Sequence, residues 1–121
     1  MNNIKCLKVI NKINEFLKKE LWMDFDLLKM DLNEVVLSGR VSELGEEVIK
    51  ISFIEPFMVS CSMYFTYKEG DSISLLQGDE EIALNKKYHV ETGNHIFQLV
   101  VNDNEDTFFI MARGIQVEIN E

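Results

Sequence analysis

A chain of 121 residues with 46% hydrophobic side chains and eight phenylalanines is the size of one domain and holds enough apolar material for a core, which excludes intrinsic disorder. Its formal charge of −9 opposes nucleic-acid phosphates and anionic lipid, so a nucleic-acid or membrane-surface binder is not expected and a cationic protein partner would be attracted. Solubility alone is the plainer explanation of such a charge.

The N-terminal segment reads as an amphipathic helix over residues 3–21. Ile4, Leu7, Ile10, Leu17 and Leu21 recur at three- or four-residue steps, with Cys6, Val9 and Phe16 widening the apolar face. Lys5, Lys8, Lys12, Glu15, Lys18 and Lys19 take the other side, and Asn2 or Asn3 can cap the start. The lysines also interrupt any signal-peptide core, and no stretch reaches membrane-span length, so a cytoplasmic chain is expected. Packing of this helix on a sheet is the simplest use of its apolar face.

From residue 25 to 120 the period becomes two. Asp26–Leu32 predicts a first strand, with Leu28, Met30 and Leu32 on one face, and Asn33-Glu34 a tight turn. Val35–Val41 and Val48–Phe53 predict a hairpin closed around Gly45, and Pro56 interrupts the ladder. Phe57–Tyr67 alternates over its whole length and predicts one half-buried strand. Ile73–Leu76 predicts a short strand. Over 77–93 the pattern is mixed: Asp79-Glu80-Glu81 resembles a helix start, while Tyr88–Val90 suits an extended segment. His95–Val101, Thr107–Ala112 and Ile115–Ile119 predict the last strands, the final two separated by a bulge or bend at Arg113-Gly114. The expectation is a single α+β domain over 1–121, in which the N-terminal helix packs on a curved, mainly antiparallel β-meander of about seven or eight strands.

Chemistry-bearing residues form no motif. Cys6 and Cys61 lie in apolar stretches and read as buried free thiols. His89 and His95 match no metal-ligand spacing, and a Cys61–histidine pair would place its thiol in an apolar row where thiols are inert. Asp24 and Asp26 flank Phe25, and the loop over 102–106 lacks the ligand register of a calcium loop. No glycine-rich phosphate loop or nucleophile elbow is present, so no catalytic residue, metal or cofactor is implied. Residues 1–30 hold six lysines against four acids, net +2, and the remainder six bases against seventeen acids, net −11. The acidic half suits docking to a cationic protein. Its candidate contacts are Asp79, Glu80 and Glu81, the loop acids Asp103, Glu105 and Asp106, and Tyr64 as an aromatic anchor.

Three segments, "VIKISFIEPFMVSCSMYF", "LNKKYHVETGNHIFQLV" and "FFIMARGIQVEI", carry a resemblance to small bacterial immunity proteins of polymorphic-toxin loci. Phe53–Pro56, Gly93–Phe97 and Ile110–Ile115 stand where such proteins have Phe-x-x-Pro, Gly-x-x-x-Phe and Ile-x-Ala-x-x-Ile. The resemblance implies a non-enzymatic cytoplasmic inhibitor that blocks a cationic toxin domain, and transfers no contact residues. The alternative is a small-molecule-binding or enzymatic β-domain whose methionines and phenylalanines line an internal pocket. A nucleic-acid mimic would need its carboxylates in a row, whereas these are scattered over turns.

Overall fold

The period-two segments pair into one antiparallel sheet, and the N-terminal amphipathic segment forms a helix packed against it. The computed structural model describes residues 1–41, 45–100 and 108–120. In chain order the elements are α1 (Asn3–Leu17), β1 (Trp22–Met30), β2 (Glu34–Arg40), β3 (Ile49–Ser60), β4 (Tyr64–Lys68), β5 (Ser72–Leu75), α2 (Asp79–Tyr88), β6 (His95–Val100) and β7 (Phe108–Ile119). The seven strands lie in the order β4-β1-β2-β3-β7-β6-β5, every pair antiparallel. The meanders β1-β2-β3 and β5-β6-β7 are joined where β3 meets β7, β4 adds to the outer edge of β1, and the sheet curls into a half-barrel. The α+β class, the helix-on-sheet packing and the strand number therefore agree with the sequence.

The helix is shorter than its pattern. The Asn2 side chain accepts from the Lys5 N–H at 2.9 Å and starts it as expected. It ends at Leu17, four residues before Leu21, because its last carbonyls have found other donors. The buried Tyr67 hydroxyl donates to Leu17 O at 3.0 Å, and the N–H groups of Lys19 and Glu20 turn back to Phe16 O and Leu17 O. Cys6, Ile10, Ile13, Phe16 and Leu17 face the sheet, while Ile4 and Leu21 stay in solvent.

Other boundaries move for reasons of packing. The first strand begins at Trp22, since Met23 and Phe25 are both core residues. A bulge between Leu27 and Lys29 then ends the burial of β1. The continuous strand expected over Phe57–Tyr67 is two strands separated by a break at 61–63. β3 stays with β7 to Ser60, and β4 pairs with the far edge of β1. Alternation runs through the break because both strands are half-buried. Over 77–93 the acidic start prevails. Asp79, Glu80 and Glu81 occupy the first turn of α2, where the helix dipole favours carboxylates, Lys86 and Lys87 sit in the last turn, and His89 ends it in the left-handed conformation. The two strands expected on either side of a bulge or bend at Arg113-Gly114 are one unbroken strand, whose register with β3 is constant from Ile119 to Ala112 and shifts only at Pro56/Met58. Ile110 and Ala112 are core residues before Arg113-Gly114, Ile115 after it, so the alternation changes phase.

The core lies between the curled sheet and α1. Phe25 stacks on Phe65 at 5.3 Å between centroids, Phe65 meets Phe108 edge-on at 5.6 Å, and Phe53 meets Phe97 at 5.4 Å. The end strands β4 and β5 follow one another in the chain but share no ladder, and α1 lies against β5 and β7. Asn14 fastens this junction: its side-chain amide donates to Ile73 O at 2.8 Å and accepts from Ile73 N–H at 3.0 Å, as a neighbouring strand would. Gly39 on β2 has no room for a side chain. A Cβ there would lie 2.6 Å from Met23 Sδ and from Ile49 Cγ2. Asn14→Ala leaves both Ile73 backbone groups without their partner and is expected to lower unfolding free energy by about 1–3 kcal/mol. Gly39→Ala overpacks the core at a cost of about 1–3 kcal/mol. Urea titration of each variant checks both values.

Candidate functional site

The side chains that could do chemistry are dispersed by the fold. Asp24 accepts from the Thr66 hydroxyl at 2.8 Å, Asp26 pairs with Arg40, and Asp71 accepts from the Lys68 N–H at 2.9 Å. His95 Nε2 lies 2.7 Å from Met1 O, while His89 caps α2. Among the described residues no three His, Cys, Asp or Glu side chains are grouped to hold a metal ion. Burial pushes the Cys61 thiol up to about 11, and it donates to Ser62 O at 3.1 Å. Burial also raises the Cys6 thiol. Both cysteines are free as expected, Cys6 fully buried and Cys61 only partly. The space lined by Leu17, Phe25, Phe65, Tyr67, Ile73 and Leu99 measures about 20 Å³, room for one water molecule. An internal apolar ligand pocket of the size a small molecule needs is not found there.

The unusual chemistry is on the outside. Beyond the bulge in β1, Leu28 and Met30 are each 63% exposed, and Leu32 in the following turn is 89% exposed. Met30, Leu32 and Phe57 line one open groove with Asp31, Pro56, Met58 and Val59, about 460 Å³ in volume. On the other side of β1, the Leu27 N–H donates to Met63 O at 2.7 Å, and Tyr64 stands opposite Asp26. Met63 is 74% exposed, and Tyr64 and Phe57 are also exposed. The β1–β2 turn and the second half of β3 thus carry a strip of large apolar side chains in water, with Met63 and Tyr64 exposed at the neighbouring start of β4. Isolated exposed leucines are ordinary on protein surfaces, but a contiguous group marks an interaction surface.

Carboxylates rim this strip. Asp31 accepts from the N–H groups of Asn33 and Glu34 at 2.8 and 3.0 Å and so closes the β1–β2 turn. These bonds, Glu34 first and then Asn33, with the nearby Lys29 ammonium, hold the Asp31 carboxyl below its ordinary value. Lys29 is shared between Glu34 at 3.0 Å and Asp31 at 3.6 Å, and their charges, the Glu34 hydrogen bond foremost, push it up. Glu55 stands beside the strip with a backbone φ of +49°, its N–H donating to Asn33 O at 2.8 Å. Left-handed backbone at a glutamate is strained, and the β1–β2 turn together with the β3 bulge at Pro56/Met58 holds it there. Arg113 reaches Glu55 at 3.6 Å and Glu91 at 3.9 Å. Four acids against Lys29 and Arg113 leave the rim negative.

The residues expected from sequence fall in two places. Tyr64 is exposed beside the strip, opposite Asp26 on the outer face of β1. Asp79 and Glu80 are exposed and Glu81 is half-buried on α2, which lies over the outer face of the sheet with Tyr88 at 6.1 Å from Phe109. None of these three acids is held in an ion pair among the described residues. Asp103, Glu105 and Asp106 lie outside the described residues. Leu28, Met30, Leu32, Phe57 and Met63 were not legible as surface residues, because their alternation is that of a half-buried strand and only the tertiary pairing sets where the core ends along it. Comparison with family models, with curated proteins and with solved structures finds no match to this chain. A thiol at about 11 is almost wholly protonated at pH 8, so iodoacetamide is expected to alkylate Cys61 on the order of a hundredfold more slowly than free cysteine. The rate should climb steadily to pH 10; a rate equal to that of free cysteine would reject the assignment.

Proposed function

We propose that this chain is a binding protein without catalytic function, an immunity-type inhibitor that occludes a cationic toxin domain. The observation that carries the reading is the exposed apolar strip with its carboxylate rim on a chain of net charge −9. Apolar and aromatic side chains at the centre of such a surface supply most of the affinity once water is excluded. Carboxylates around them supply rate and orientation, since opposite potentials steer encounter and fade with salt. The acids at the start of α2 add to the same negative field. The resemblance of the core pattern to immunity proteins is in keeping with this division of labour, and the partner is the toxin domain made beside the inhibitor in the same cytoplasm. The small-molecule reading is the weaker one, since the space beneath α1 lined by Leu17, Phe25 and Phe65 has room for about one water molecule.

Co-expression tests the reading. Producing the chain should rescue cells from the toxin domain encoded next to it, and the two purified proteins should bind at low ionic strength. Association should slow by about an order of magnitude between low and high salt, with a smaller effect on dissociation. Tyr64→Ala and Phe57→Ala should each weaken binding by about 1–4 kcal/mol at unchanged thermal stability. Absence of rescue together with absence of binding at low salt would reject the function.

A further inference from the structure

We infer that the groove between the β1–β2 turn and the second half of β3 receives an extended basic and apolar segment of the partner, which adds as a short strand to the free edge of β3. The inference rests on the inhibitor reading and specifies how the partner is held. β2 pairs with β3 only from Ile49 to Ile54, whereas β3 continues beside β7 to Ser60. Beyond Ile54 the side of β3 that faced β2 has no strand partner among the described residues. Every second residue of an antiparallel strand turns its N–H and C=O to the same side, so part of the 57–60 backbone presents unpaired groups there. Such groups are a template for another chain.

The groove lies against this edge. Met30 and Leu32 form one wall, Phe57 and Val59 the other. These side chains suit an incoming strand with apolar residues at alternate positions. Asp31 within the groove and Glu55, which lines the adjoining hollow with Leu32, Pro56 and Phe57, suit lysine or arginine at the positions between. Pro56 has no N–H and the bulge after it twists the edge, which confines the pairing to a few residues and keeps the surface from capturing long strands. A long apolar edge would invite aggregation, and a short one bordered by acids selects a basic segment.

The probe is a synthetic octapeptide alternating valine and lysine, titrated into the ¹⁵N-labelled chain. Amide shifts are expected at 57–60 and 30–32. Affinity should fall by about tenfold or more in Leu32→Lys and Phe57→Lys. Leu32 is 89% exposed, so its variant should unfold at the same temperature as the parent. A valine–glutamate peptide, and a valine–lysine peptide N-methylated along one edge, should both bind more weakly. Equal binding of either control, shifts centred on α2, or no binding at millimolar peptide would overturn the inference. Toxin binding that survives Leu32→Lys unchanged would also overturn it while leaving the inhibitor function standing. Failure of the parent chain to protect cells, with peptide binding intact, would reject the function and leave the strand-addition site.

Discussion

A curled seven-stranded sheet whose end strands share no ladder must be closed by something other than its own hydrogen bonds, and here α1 closes it. The helix buries Cys6, Ile10, Ile13, Phe16 and Leu17 against the concave face. It also meets the backbone directly, through Asn14 at Ile73 and through the Tyr67 hydroxyl at Leu17. Two polar contacts in a mainly apolar interface fix the position of the helix along the sheet, which apolar contact alone leaves free to slide. Everything outside that core follows from it.

The surface is divided by the same constraint. The long pairing of β3 with β7 is the spine of the sheet, and β2 covers only its first half. The bulge in β1, the bulge in β3 and the left-handed Glu55 lie around the place where β2 begins. Each bends backbone away from regular pairing, and together they leave apolar side chains uncovered beside an open strand edge. A fold selected for stability alone would bury Leu32 or replace it with a polar residue. Strain and exposed apolar surface in the same few residues are what a docking surface requires.

Much of this fold was legible. The helix, its Asn2 cap, the β-rich remainder and the hairpin of β2 and β3 all follow from periodicity and turn chemistry. What escaped was set by tertiary pairing. Alternation from Phe57 to Tyr67 does not reveal that the chain changes partner strand between Ser60 and Tyr64. The helix end depends on Tyr67, which is distant in sequence. The candidate surface was legible in part. Tyr64 and the acids at Asp79–Glu81 stood out by residue type, but the exposure of Leu28 and Met30 depends on where the core ends along β1, which no local pattern announces.

The central claim is that the strip along the β1–β2 turn and the second half of β3, with the neighbouring start of β4, is where this protein meets its partner. Amide hydrogen exchange of the chain, free and bound to the toxin domain proposed as its partner, tests that claim most directly. The account predicts that slowed exchange on binding will concentrate at 28–32 and 56–64. Slowing confined to α2, to β5 or to the concave side beneath α1, with 28–32 and 56–64 exchanging as in the free protein, would contradict it.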